Sequence, residues 1–476
     1  SAENARRPGR SDRMPRQLWL ACLALIAATA PATARAARPN LLLIIADDCT
    51  FRDIGCYGGQ AHTPHMDRLA KQGMRMTRCF QAAPMCSPTR HNIYTGLYPV
   101  KSGAYPNHTF AKPGTRSVVH HLKPHGYQVA LSGKKHIAPR AVFPFEYSGK
   151  NNPDFQAIDT LMATSKSDGT PFCLFACSNE PHSPWNKGDR SRYDPAKVKL
   201  PSYFVDTPET RKQMVAYLAE ITYFDGQVGR CLELLEKHGL TENTLVMVLS
   251  EQGSSFPFGK WTCYDTGLQS ACIARWPGQI EPATTSDAMI EYVDILPTFL
   301  DVAGVAAGKE LDGRSFLPVL RGQSDSHKQF VFGLMTTRGI NNGSDHFGIR
   351  SVRSNRYKYI LNLTPGVPFR NACMKSSIFR SWEARASQGD ADAREKVRRY
   401  RQRPAEELYD TTADPLEWKN LAGDPKLAQV QSQLKAQLER WMQAQGDQGQ
   451  KTELEALEHQ ARRRNKGQKK KKTGSR

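Results

Sequence analysis

The sequence has no Cys-x-x-Cys pair and no local cluster of cysteine with histidine, which excludes the usual spacing of a structural zinc site. Beyond one N-terminal run it has no apolar stretch near the roughly 20 residues that a membrane-spanning helix needs. It shows no internal repeat, which excludes solenoids and propellers. It carries no nucleic-acid recognition motif, although its net charge is +20. From Arg462 to the C-terminus it contains no acidic residue.

What is present is a chain of 476 residues, enough for two or three domains, and 39% of them are hydrophobic, enough for a sizeable core. The charge excess favours a polyanionic partner, such as an anionic membrane or a sulfated glycan. Part of it lies in Arg462, Arg463, Arg464, Lys466 and the run Lys469 to Lys472. Residues 446–476 are therefore expected to form a basic, disordered tail. At the other end, Met14-Pro15-Arg16 precede the apolar run Leu18 to Ala28, and Ala34-Arg35-Ala36 has the A-x-A cleavage pattern. Residues 1–13 are polar, so Met14 reads as the start, and residues 1–36 read as leader and signal peptide. The mature chain is then exported, to a periplasm or outside the cell, or to a lysosome in a eukaryote. It has no transmembrane segment after cleavage. Cys22 leaves with the signal, and ten of the 11 cysteines remain, with no spacing that fixes a disulfide connectivity.

Pro39 to Ala46 is a continuous apolar run, the mark of a strand buried on both faces. Thr63-Pro64 opens a helix, with Thr63 as its cap, and Gly73 ends it. Ser87 to Tyr94 reads as a second helix, stopped by Gly96. Gln128 to Ser132, Pro171 to Cys177 and Thr244 to Ser250 are further strands, and Pro208 to His238 is a long amphipathic helix closed by Gly239. Alternating strands and helices predict an α/β domain over residues 37–330, with a large, mixed, mostly parallel sheet flanked by helices. Phe347 to Leu361 alternates apolar with basic residues, as in a half-exposed antiparallel hairpin. Glu407 to Asp410 is a short strand and Leu427 to Gln443 a helix. Residues 331–445 thus read as a smaller α+β subdomain with an antiparallel sheet.

Ligands of parallel sheets bind beyond the carboxyl ends of the strands, and two oxygen-bearing pairs fall there: Asp47-Asp48 and Glu251-Gln252. Carboxylate and carbonyl oxygens suit calcium or magnesium. Taken singly, the chemistry-bearing residues have ordinary structural readings. Asp47 or Asp48 is a helix cap, Cys86 a small core residue, His136 and His182 structural polar groups, and Lys260 a surface charge.

Their order changes that reading. Cys86-Ser87-Pro88-Thr89-Arg90, running to Thr95-Gly96, comes after the Asp pair. It precedes Gly133-Lys134-Lys135-His136, then Pro181-His182-Ser183-Pro184, then Glu251-Gln252-Gly253 and Lys260. From about residue 38 to about 445 the chain resembles the sulfatase family of the alkaline-phosphatase-like superfamily. In that family a Cys with Pro two on and Arg four on is oxidised to formylglycine. The resemblance implies a catalytic set of Cys86, Arg90, Lys134, His136, His182 and Lys260. It implies one divalent cation, Ca2+ before Mg2+, held by Asp47, Asp48, the modified Cys86, Glu251 and Gln252. It also implies a formylglycine-generating enzyme as maturation partner and a sulfated carbohydrate as substrate; an oligomeric state stays open. One hydroxyl of the aldehyde hydrate attacks sulfur, and the other expels sulfate and restores the aldehyde. His136 assists that breakdown, and His182 and Lys260 protonate the leaving group.

Within the family the chain resembles heparan N-sulfatases, in the stretches around Gly133-Lys134-Lys135-His136, Phe256-Pro257-Phe258-Gly259-Lys260 and Arg350-Ser351-Val352-Arg353. This implies removal of N- or O-sulfate from a sulfated sugar such as a heparan sulfate terminus. Glu251 departs from the Asp usual at its position, which leaves a non-catalytic glycan-binding relative as one alternative. A phosphoric ester hydrolase of the same superfamily is another, though the chain lacks the second Asp and His cluster of a two-zinc phosphatase. Export and the missing motif oppose a nucleic-acid partner.

Overall fold

The computed structural model describes residues 38–460. The expected leader, its cleavage site and the chain beyond Gln460 lie outside the described residues. Nine strands build the first sheet: β1 (Asn40–Ile45), β2 (Met74–Phe80), β3 (Gln128–Gly133), β4 (Glu146–Ser148), β5 (Phe172–Cys177), β6 (Thr244–Leu249), β7 (Gln269–Arg275), β8 (Thr284–Ser286) and β9 (Ile290–Glu291). Their order is β4-β3-β5-β1-β6-β7-β2-β8, with β9 beside β2. Only β7 runs antiparallel to its neighbours, so the sheet is mostly parallel, as the alternation of elements predicts.

β1 shows why an apolar run becomes a central strand. Leu42 and Ile44 enter one core, with Met214, Leu218 and Leu232 of helix Pro208–Lys237. Leu41, Leu43 and Ile45 enter the core on the opposite face, with Ile295, Leu296 and Phe299 of helix Ile295–Val302. Each of these side chains is at most 1% exposed, and truncating one to Ala costs about 2–5 kcal/mol. That is a large share of a typical net stability of about 5–15 kcal/mol. The strand that presents Asp47 and Asp48 is therefore firmly fixed.

A second sheet contains β10 (Val331–Thr336), β11 (Gly348–Arg353), β12 (Tyr357–Asn362) and β13 (Glu406–Asp410), all antiparallel in that order. Leu434, Leu438 and Trp441 of helix Ala428–Gln445 pack on its Leu334, Val352, Tyr359 and Leu408.

Three expectations need correction. The β11–β12 hairpin is not half-exposed along its strands, because the basic residues there, Arg350, Arg353 and Lys358, are buried in ion pairs; only Arg356 in the turn is exposed. Arg353 Nε meets Asp265 Oδ2 at 2.9 Å, and Lys358 Nζ meets Asp265 Oδ1 at 2.8 Å and Glu417 Oε1 at 3.1 Å. Arg350, fully buried, pairs with Asp447 and, at 2.9 Å, with Glu453. Buried charge is tolerated when fully paired, and local alternation cannot reveal distant partners. Second, residues 446–460, expected to begin the disordered tail, contain helix Gln450–Glu455 and a 3-10 turn, Ala456–His459. Asp447 and Glu453 tie them to Arg350. Third, the Thr63 hydroxyl does not cap its helix, α1 (Pro64–Lys71); it accepts from Gly55 N–H at 2.9 Å and donates to Asp67 at 3.0 Å. The ten cysteines among the described residues are thiols, nine of them buried. No helix among the described residues is long and apolar enough to cross a membrane.

Candidate active site

The four central parallel strands deliver the residues. Asp47 and Asp48 follow β1, Lys134 and His136 follow β3, His182 follows β5, and Glu251 and Gln252 follow β6. Facing them is α2 (Cys86–Thr95), in which every residue is buried and which Gly96 ends at φ 64°. Cys86 is its first residue, so the thiol lies where the unpaired N–H groups of a helix start favour negative charge.

One ligand atom each from Asp47, Cys86 and Glu251 lies within 4.8 Å of the others, all buried. Asp48 and Gln252 stand beside this triad but are bonded to each other, Gln252 Nε2 donating to Asp48 Oδ1 at 2.7 Å. Asp48 also receives Lys260 Nζ at 2.7 Å and the Ser255 hydroxyl at 2.9 Å, and faces His182 Nε2 at 3.7 Å. Lys134 Nζ contacts Asp47. Arg90 does not reach the cleft: fully buried, it meets Glu251 Oε1 at 2.9 Å and donates to the Lys134 carbonyl at 3.3 Å. Three carboxylates thus face three cations, close to neutrality in a buried space.

The electrostatics follow. Burial works against the charged form of Asp48, but Lys260 and His182 outweigh it and hold the carboxyl below its usual range. Burial would also lower Lys260, yet Asp48 carries it above the usual lysine value. Burial lowers Lys134 to about 8 and His182 to about 4, each partly offset by a carboxylate. Burial pushes the Cys86 thiol up to about 12, so the unmodified sulfur is protonated at neutral pH.

Cys86, Lys134, His136, His182 and Lys260 line one cleft of about 520 Å³. Ser183 of the His182 motif also lines it, and sequence reasoning missed the other walls: Asn107, His108, Ser255, Trp261, the stretch Gly339 to Asn341, and Ala372. His136 Nε2 lies 2.9 Å from His108 Nδ1. Asp48, His108, His136, Phe258 and Trp261 all hold left-handed backbone, at φ 60°, 56°, 49°, 68° and 68°. Such residues cost about 1–3 kcal/mol each and persist only where packing over-determines them, commonly at functional sites. A non-glycine left-handed residue leaves no mark in sequence, so this signal appears only in the structure.

The family model described as Sulfatase matches residues 39–305, and the one described as N-sulphoglucosamine sulphohydrolase, C-terminal, matches residues 253–364. An ulvan-active sulfatase of Formosa agariphila is 34% identical over 86% of this chain and 81% of its own length. The N-sulphoglucosamine sulphohydrolase of Homo sapiens is 28% identical over 85% of this chain and 90% of its own. A solved structure, of a protein in complex with its substrate D-glucosamine-2-N,6-O-disulfate, shares the fold. Its TM-score is 0.65 at 19% identity, over 86% of this chain and 99% of that one.

Proposed function

The chain belongs to the sulfatase family, and from that premise we propose that it removes N- or O-linked sulfate from a terminal sulfated sugar of a heparan-type glycan. The observation that carries this reading is the buried triad of Asp47, Cys86 and Glu251 opening onto a cleft with two lysines and two histidines. A cleft of about 520 Å³ is of the size that encloses a small ligand, and its cations suit an anionic one. Relatives whose names specify ulvan, sulphoglucosamine or a glucosamine disulfate support a saccharide substrate.

The residues fit a divalent cation. Asp47 Oδ1 and Gln252 Oε1 are buried without a hydrogen-bond partner, and the donors are hard oxygens. Asp47, Asp48, Glu251, Gln252 and the oxygen that replaces the Cys86 sulfur would hold it. Mixed, partly bonded carboxylates suit the irregular shell of Ca2+ better than the strict octahedron of Mg2+. When bound, the cation polarises a sulfate oxygen and makes a nearby hydroxyl more acidic.

The chain's own groups do the rest. Cys86, as formylglycine hydrate, supplies the attacking hydroxyl. Lys134 and Lys260 hold the sulfate oxygens. Lys260, which Asp48 keeps protonated, gives a proton to the leaving oxygen or nitrogen, His182 beside Asp48 orients that atom, and His136 takes a proton as sulfate departs. Arg90 acts behind them, fixing Glu251. In this reading a formylglycine-generating enzyme matures the exported chain, residues 37–330 carry the catalytic domain, and residues 331–445 form the C-terminal subdomain, to which 446–460 are tied through Arg350.

The test pairs the mass of the peptide containing Cys86 with sulfate release from glucosamine N-sulfate and glucosamine 6-O-sulfate. The expected result is a mass loss matching conversion of CH2SH to CHO, together with sulfate release that Cys86→Ala abolishes without unfolding the protein. An unmodified Cys86 in the native host and no release would favour a non-catalytic glycan binder.

A further inference from the structure

Ser87, next to the nucleophile, joins two loops of the cleft. Its hydroxyl donates to the His136 carbonyl at 3.0 Å and receives Thr109 N–H at 3.3 Å. Across the same loops the side chains meet: His136 Nε2 and His108 Nδ1 are 2.9 Å apart, with ring centroids separated by 4.8 Å. The loop bearing His108 is also gripped from its other side. Tyr105 Oη donates to the Thr452 carbonyl at 2.7 Å, Thr109 Oγ1 to the His459 carbonyl at 2.9 Å, and Gln460 Nε2 to the Asn107 carbonyl at 3.2 Å. Thr109 and Gln460 form an antiparallel bridge. The two rings are therefore brought together by a closed frame.

Of two facing ring nitrogens, one donates and one accepts. His136 Nδ1 is buried and has no hydrogen-bond partner. A proton on Nδ1 would leave an N–H buried without an acceptor, a rarer and costlier state than an empty lone pair. With the proton on Nε2, the hydrogen bond runs to His108 Nδ1, and the His136 Nδ1 lone pair stays open. Burial first, then the charge of Lys134, keeps His136 well below the usual histidine range, so the ring is neutral and has a lone pair to offer.

We propose that His108 is a positioning residue for the sulfatase reaction: by accepting from His136 Nε2–H it fixes the tautomer and ring plane that aim Nδ1 as the base. The inference rests on the reading that His136 receives a proton as sulfate departs. In that step the remaining hydroxyl of the sulfated formylglycine hydrate gives its proton to His136 Nδ1. The O–H electron pair becomes the new C=O bond, and the C–O bond to sulfate breaks, its pair leaving on sulfate. The imidazolium so formed keeps its Nε2–H on His108.

The test uses the full-length, matured protein with His108→Phe and His108→Gln. In His108→Phe, kcat for sulfate release is expected to fall about 10- to 100-fold with KM changed less than about twofold. His108→Gln, whose amide oxygen can accept from Nε2–H, is expected to recover most of kcat. Histidine 15N NMR of the wild-type protein should find His136 protonated on Nε2, and this readout needs neither a variant nor a substrate. A wild-type kcat in His108→Phe, or His136 protonated on Nδ1, would overturn the proposal. Absence of turnover in the wild-type protein would instead overturn the functional reading, with the tautomer still deciding the role of His108.

Discussion

Glu251 departs from the Asp that the sequence resemblance leads one to expect, and its carboxylate finds a partner. Its Oε1 reaches Arg90 Nε at 2.9 Å, both side chains fully buried. Removing one member of such a pair strands the other charge away from water, which typically costs about 3–5 kcal/mol. Arg90→Ala should therefore lower unfolding free energy by roughly that amount in urea titration of metal-free protein; a change near zero would show the pair to be dispensable. At this scale the site was legible through the order of its residues: Cys86, Asp47, Lys134 and His182 each have an ordinary reading alone, and only their succession along the chain set them apart. His108 was not: it faces the site through contacts with chain far away in sequence, and nothing adjacent marks it. Ser255 stands between Glu251-Gln252-Gly253 and Lys260 and donates to Asp48, but a lone serine shows nothing of that contact in sequence.

Strands legible from composition are those whose two faces are both apolar. β1, β5 and β6 read as unbroken hydrophobic runs because both faces are buried. β2 escaped notice because Arg75 and Arg78 interrupt it, and β7 because its small residues lack a strong β signature. The antiparallel insertion of β7 between β6 and β2 is a fact of pairing that no single element carries. The segment 446–460 was misread for a related reason. Its Gln, Lys, Gly and Glu content resembles a tail, and its order comes from Asp447 and Glu453 meeting Arg350. Two truncations separate the readings. A stop after Gln460 should leave the melting temperature unchanged. A stop after Gly446 should strand Arg350 and cost about 3 kcal/mol or more in unfolding free energy, with loss of sulfate release as Thr109 and Asn107 lose their supports. Equal behaviour of the two would sink this account of the segment.

Across the whole molecule, the mostly parallel sheet and the second antiparallel sheet were foreseeable, since alternating elements leave few ways to bury every apolar face. The ion pairs that lock the parts together were not. Asp294, fully buried, meets Lys328 Nζ at 2.8 Å and His327 Nε2 at 3.1 Å. Burial opposes its charge, but Lys328 and His327 outweigh it and bring the carboxyl from 3.8 down to about 2. A carboxyl lowered on folding adds stability that is present above about pH 4 and lost as pH falls toward 2, on the order of 2 kcal/mol. Asp265, held low by Arg353 and Lys358 against its burial, acts in the same direction. Acid unfolding followed by fluorescence should steepen below about pH 4, and Asp294→Asn should flatten that limb. An unchanged acid limb would assign the acid sensitivity elsewhere.

The bridge between Thr109 and Gln460 also has a meaning in time. A chain is made from its N-terminus, so Cys86 is synthesised long before the segment that closes the frame around it. At about 5–20 residues per second the interval is roughly 20–75 s. On the proposed function, the maturation of Cys86 has that interval before the segment that ties down the His108 loop is made. On that reading, the last contacts to complete the site also mark the end of the time in which its chemistry is installed.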